Sequence, residues 1–164
     1  VASLERLLRR HQQAMFRLAY RLLNDRGDAE DAVQDAFVSA WRRLDTYRGD
    51  AAFSSWLYRI VTNRCFNMTR SRRPVATLDA AETVIAASGH NSPENEATAT
   101  AERAALQRAL QELPVDQRAC WVLRENDGLG YDEIAGIIGG TPDAVRGKIH
   151  RARHTLAQRM REWT

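Results

Sequence analysis

Arg146, Lys148, Arg151 and Arg153 crowd one short stretch near the end of the chain, with Gly147 and His150 among them. Arginine can grip guanine with two parallel hydrogen bonds, and flanking cations can meet phosphates. From Pro142 to Thr164 six arginines and lysines stand against Asp143 and Glu162. A second set recurs at helical spacing: Trp56, Arg59, Asn63, Phe66, Asn67 and Arg70. Rings, amides and guanidinium groups in one stripe suit unpaired bases, which stack on rings and offer polar edges to amides. The alternative leaves Trp56 and Phe66 in a core and the amides merely solvated. A third set is acidic: Glu30, Asp31, Gln34 and Asp35. Carboxylates in a first helical turn are favoured by the helix dipole, but Asp35 lies two turns in and gains little from it. Either the face is simply solvated or it docks on a basic protein surface.

These residues need elements to hold them. Tyr131 to Arg153 reads as two short helices around a turn. Ile134, Ala135 and Ile138 line the first, and Gly139-Gly140 ends it, because glycine enters left-handed backbone freely. Thr141 is the expected N-cap and Pro142 fits the first helical position. Val145, Ile149, Ala152 and Leu156 make the buried stripe of the second helix, which turns Gly147, His150 and Arg151 outward. A basic helix after a glycine turn is what a helix-turn-helix inserts into the major groove. A plain helical hairpin with a solvated basic face is the alternative.

The periodicity upstream predicts three more helices. The first runs from a cap at Ser3 to about Leu23. The second is capped by Asp28 and runs to about Leu44, with Ala29, Val33, Ala36, Phe37, Ala40, Trp41 and Leu44 inward. The third runs from about Ala51 to Ser71, with Phe53, Leu57, Ile60, Val61 and Met68 inward. Arg70, Arg72 and Arg73 close it as a basic cluster. Val75 to about Thr100 has linker composition, rich in Ala, Thr, Ser and Asn, although Leu78, Val84 and Ile85 could anchor a short piece. Helices resume at Ala101 to Leu113 and from Pro114 to the break at Asn126-Asp127-Gly128. The expected fold is all-α: two small helical domains joined by a flexible linker, the second ending in the helix-turn-helix.

The 164 residues suffice for one domain or two small ones, and a net charge of +3 mildly favours a polyanionic partner. Cys65 and Cys120 lie far apart outside any metal-ligand spacing, which reads as reduced packing thiols. No phosphate-binding glycine loop, His/Cys cluster or nucleophile–base pair is present, so neither an enzyme, a cofactor, a metal nor a small-molecule substrate is expected. No apolar run reaches the ~20 residues of a membrane span. The chain opens at Val1, which suggests a trimmed N-terminus, and no fused module is expected after Trp163.

Several motifs together resemble the bacterial extracytoplasmic-function (ECF) sigma factors. They are Asp28-Ala-Glu-Asp-Ala-Val-Gln-Asp-Ala-Phe37, Tyr47-Arg-Gly-Asp-Ala-Ala-Phe53 and Trp56-Leu-Tyr-Arg-Ile-Val-Thr-Asn63, followed by Leu113-Pro114, Leu123-Arg-Glu125, Gly128-Leu-Gly-Tyr-Asp-Glu-Ile-Ala135 and Val145-Arg-Gly-Lys-Ile-His-Arg-Ala-Arg153. The resemblance implies sigma domain 2 at residues 1–73, a linker at 74–100 and sigma domain 4 at 101–164. It implies docking of Asp31, Gln34 and Asp35 on the β′ clamp helices of core RNA polymerase, and a contact of the second domain with the β flap. It assigns Tyr47, Trp56, Tyr58, Arg59, Asn63 and Asn67 to the melted minus-ten promoter element. Arg146, Gly147, Lys148, His150, Arg151 and Arg153 fall to the duplex minus-thirty-five element. A cytoplasmic location and an anti-sigma factor that covers these surfaces are further implications. Gly147 departs from the serine or other polar residue common at that position, and His150 is uncommon, so the preferred promoter sequence stays open. A stand-alone dimeric helix-turn-helix regulator, or a purely protein-binding helical module, are the rival readings.

Overall fold

The computed structural model describes residues 2–47, 52–71 and 93–163. Among them are α1 (Ala2–Leu23), α2 (Arg26–Arg42), a 3-10 turn (Leu44–Thr46), α3 (Phe53–Ser71), α4 (Pro93–Gln111), α5 (Val115–Glu125), α6 (Tyr131–Ile138) and α7 (Pro142–Trp163), and no strand. Arg72, Arg73, Leu78, Val84 and Ile85, for which roles were expected, lie outside the described residues.

Local chemistry explains where most helices stop. Asn24 takes left-handed backbone (φ 54°) and closes α1 with a bond from its N–H to the Tyr20 carbonyl. One residue later Asp25 caps α2: its extended backbone lets Oδ1 accept the Asp28 N–H at 2.8 Å. Asp25 is therefore the cap expected at Asp28, which instead sits in the first turn, where its carboxylate meets the positive end of the dipole. Gly139 and Gly140 have φ of 90° and 91°, and Thr141 Oγ1 accepts the Ala144 N–H at 3.1 Å, as the turn chemistry requires. At α4 the composition misleads. The helix starts at Pro93, so residues 93–100 are helical rather than linker. Proline suits a first helical position, and alanine-rich sequence supports a helix once a neighbour packs on it.

α1, α2 and α3 pack as one three-helix unit, and α4 to α7 as a second. α2 buries Ala29, Ala32, Val33, Ala36 and Ala40. Four alanines in five positions let α1 and α3 come close, and the side chains beyond that narrow stripe are left out. Trp41 and Leu44, expected inward, are 46% and 42% exposed.

The two units pack on each other at the C-terminus of α1. The last carbonyls of a helix have no partner within it. Here the second unit supplies the donors. Gln107 Nε2 donates to the Tyr20 carbonyl (2.9 Å), Gln111 Nε2 to that of Arg21 (3.0 Å) and Arg118 Nη1 to that of Leu22. Arg118 is buried, and it also donates to the Leu110 (2.7 Å), Gln111 (3.3 Å) and Leu113 (2.9 Å) carbonyls at the end of α4.

Both cysteines are free and fully buried, and burial pushes Cys65 up to about 12 and Cys120 up to about 11. The thiolate is the reactive form, so neither side chain should react at neutral pH. Iodoacetamide at pH 7.5 is expected to leave the native chain unmodified and to label both cysteines in denaturant; rapid labelling of the native chain would contradict this packing.

Candidate nucleic-acid and protein-docking faces

The first candidate face lies on α2. Asp31, Gln34 and Asp35 are all exposed. At 100° per residue Val38 falls between Asp31 and Asp35, and Trp41 beside Gln34. Val38 is 51% exposed, so the face is acidic and apolar together. Asp35 Oδ2 accepts from Arg64 Nε (3.0 Å) and Nη2 (2.9 Å) on α3, which leaves Asp31 as its freer carboxylate. The sequence reading missed Val38 and Trp41 because an apolar residue beside an apolar stripe is read as part of it.

The second face is on α3. Arg59, Asn63 and Asn67 are exposed along one side. Trp56 is half-buried at the head of that side, in a cluster of rings: Tyr47 at 5.2 Å and Phe53 at 5.6 Å between centroids. His11 adds a ring 5.8 Å from Phe53. The rings are thus neither sealed in the core nor free, and Phe66 too is half-buried against the core. Tyr58 does not join this face. It is buried with Leu57, Val61, Thr62 and Cys65, and its hydroxyl donates to Asp127 Oδ1 of the second unit at 2.9 Å. Burial, followed by the neighbouring Asp127 carboxylate, drives the phenol well above its ordinary range. Two residues of helix rotate Tyr58 by about 200° from Trp56, a phase that motif position alone does not reveal.

The third face is on α7. Arg146, His150 and Arg151 are exposed, with Gly147 between them. Lys148 and Arg153 sit on the flanks and are engaged with α5 and its end: Lys148 Nζ lies 3.3 Å from Asp116 Oδ2, and Arg153 donates through Nε and Nη2 to Glu125 Oε1. That bond and the nearby carboxylate hold the Arg153 guanidinium above its ordinary range. The Tyr131 ring lies under two guanidinium groups, Arg124 at 4.6 Å and Arg146 at 5.2 Å from its centroid. Such contacts favour a fixed guanidinium plane. Arg124 and Tyr131 therefore extend this face. Their motifs were visible in the sequence, but a stack between residues of three helices was not.

Among the described residues no group of His, Cys, Asp and Glu could hold a metal ion, and no helix is long and apolar enough to cross a membrane.

Two family models match the chain, Sigma-70 region 2 over residues 7–75 and Sigma-70 region 4 over residues 103–156. The ECF RNA polymerase sigma-E factor of Escherichia coli strain K12 is 39% identical, the match covering 92% of this chain and 82% of that protein. The RNA polymerase sigma-H factor of Pseudomonas aeruginosa is 35% identical over the same shares. Among solved structures, the sigma factor RpoE of Bartonella quintana, in complex with the anti-sigma factor NepR, has a TM-score of 0.77 over 98% of both chains; its 23% identity makes this a likeness of fold. CnrH, in complex with the cytosolic domain of CnrY, has a TM-score of 0.71 at 29% identity and covers 96% of this chain and 86% of that one.

Gly147 gives a direct test of how α7 is built. A Cβ there would meet only Arg151 Nη1, at 3.4 Å, the mobile end of a side chain. Gly147→Ala is expected to stabilise the chain by up to about 1 kcal/mol, raising the melting temperature by roughly 2–4 °C. A lower melting temperature would show that the position is tighter than the geometry implies.

Proposed function

The chain belongs to the ECF sigma factors of the sigma-70 family, and on that premise we propose how its three exposed faces divide the work of promoter recognition. The α2 face of Asp31, Gln34 and Asp35, extended by Val38 and Trp41, docks on the β′ clamp helices of core RNA polymerase. Exposed tryptophan beside carboxylates supports this, because aromatic anchors ringed by polar groups dominate protein interfaces. The α3 face of Arg59, Asn63 and Asn67, headed by Trp56 and Tyr47, takes the unpaired bases of the melted minus-ten element. Half-exposed rings next to free amides and a guanidinium are the chemistry that stacking and edge reading need.

The α7 face of Arg146, Gly147, His150 and Arg151 reads the minus-thirty-five element as duplex. Tyr131 holds Arg146 in place, and Arg124, Lys148 and Arg153 supply flanking charge for phosphates. Residues up to about Ser71 form the domain 2 unit and those from Pro93 the domain 4 unit, which also contacts the β flap. Bond formation belongs to the polymerase, so this chain needs no catalytic group or cofactor. The setting is the cytoplasm, with an anti-sigma factor as negative regulator.

One observation carries the reading. A single chain presents two differently built nucleic-acid faces, one suited to unpaired bases and one to duplex, together with an acidic–apolar docking face. A free-standing dimeric regulator would need only the α7 face.

The test is binding to core polymerase, followed by fluorescence anisotropy. Trp41→Ala is expected to weaken binding at least tenfold, about 1.4 kcal/mol, and Asp31→Arg to weaken it further, both with unchanged helix content. Failure of the intact chain to bind core would reject the sigma reading, and full-strength binding by both variants would reject the α2 face.

A further inference from the structure

Every polar contact between the two units falls on one of two spots: the C-terminus of α1, and the side of α3 that carries Tyr58. At the first, Gln107, Gln111 and Arg118 satisfy successive carbonyls of α1, and Gln107 Nε2 also reaches Asn24 Oδ1 (3.2 Å) while its Oε1 accepts from Arg21 Nη1 (3.2 Å). At the second, Asp127 receives the Tyr58 hydroxyl, and Glu133 Oε2 stands 3.5 Å from Ser55 Oγ. Asp127 and Glu133 are carboxylates of the second unit laid against the helix proposed to hold DNA. We infer that these contacts form an intramolecular latch, which holds the free chain closed and must open before both promoter elements can be engaged.

The argument is one of reach, and it rests on the promoter reading above. Elements ten and thirty-five base pairs upstream lie about 25 base pairs apart, roughly 85 Å of duplex at ~3.4 Å per pair. A packed chain of this length has a radius of gyration of roughly 15 Å and is about 40 Å across. With α1 capped by α4 and α5, the α3 and α7 faces cannot span that distance. The chain itself permits separation, since the residues between Ser71 and Pro93 can extend to about 70 Å.

The seam is made to part. It is largely polar, and an open cleft of about 370 Å³ runs along it, lined by Arg17, Arg21, Glu125, Asn126 and Asp127. Polar, wet interfaces between domains are those that separate. On opening, water can take over the α1 carbonyls and Tyr58 is released. A chain that is mostly closed binds more weakly by the fraction that is open, so the latch sets how readily polymerase captures it.

The test uses the full chain with donor and acceptor dyes on Glu5→Cys and Gln158→Cys; the buried Cys65 and Cys120 will not take dye. Energy transfer is expected to be high in the free protein and to fall when core polymerase and promoter DNA are added. Gln107→Ala/Asp127→Ala, with helix content unchanged, is expected to show lower transfer when free and several-fold tighter binding to core. Free protein with transfer as low as the promoter complex would overturn the latch. So would transfer that stays high in that complex, or a double variant that matches the wild type in both transfer and affinity. Should the chain fail to bind core, the promoter reading falls, while transfer in the free protein and its variant still reports closure.

Discussion

A helix that ends within a protein presents carbonyl groups that must find donors. α1 ends against the second unit, and its carbonyls find Gln107, Gln111 and Arg118 there. Arg118 does most to tie the pieces together. Its guanidinium reaches carbonyls at the ends of both α1 and α4, so one buried cation is placed at the negative poles of two helix dipoles. Burying a cation is costly unless its hydrogen bonds are made. Four of those bonds are to backbone carbonyls, and the geometry is maintained only while the α4–α5 corner and the end of α1 stay in register.

That constraint decides what the rest of the chain can show to its surroundings. With α1 fixed at one end, α2 and α3 pack on it through small and aliphatic side chains, and their outer sides remain open. The alanine stripe of α2 leaves Val38, Trp41 and the carboxylates outside. In the second unit, the ion pairs of Lys148 and Arg153 with Asp116 and Glu125 fix the roll of α7. Exposed ion pairs contribute little stability, and their value here is orientation: they turn Arg146, His150 and Arg151 outward. The functional faces are what close packing on the inner sides leaves over.

Much of this was legible in the sequence where the cause is local. Gly139, Gly140, Thr141 and Pro142 encode the turn before α7 in residues that touch one another, and Val145, Ile149, Ala152 and Leu156 are its buried set as the spacing implies. What was not legible has causes distant along the chain. Trp41 looked like core because its exposure follows from how close the neighbouring helices come. Tyr58 looked like a base-reading residue because its motif position says nothing of Asp127, 69 residues away. The first turns of α4 looked like linker because weak helix formers need a packing partner that composition does not name. The stack of Arg124, Tyr131 and Arg146 needs three helices to converge, which no spacing rule encodes.

Two separate DNA-reading faces on one polymerase-bound chain are the centre of the account. The measurement that tests it most directly is selection of transcribed promoters from a randomised DNA library, using core polymerase reconstituted with this chain. The account predicts two enriched blocks about 25 base pairs apart, the downstream one changed by substitutions on α3 and the upstream one by substitutions on α7. A single palindrome, enriched by the chain without polymerase, would contradict it.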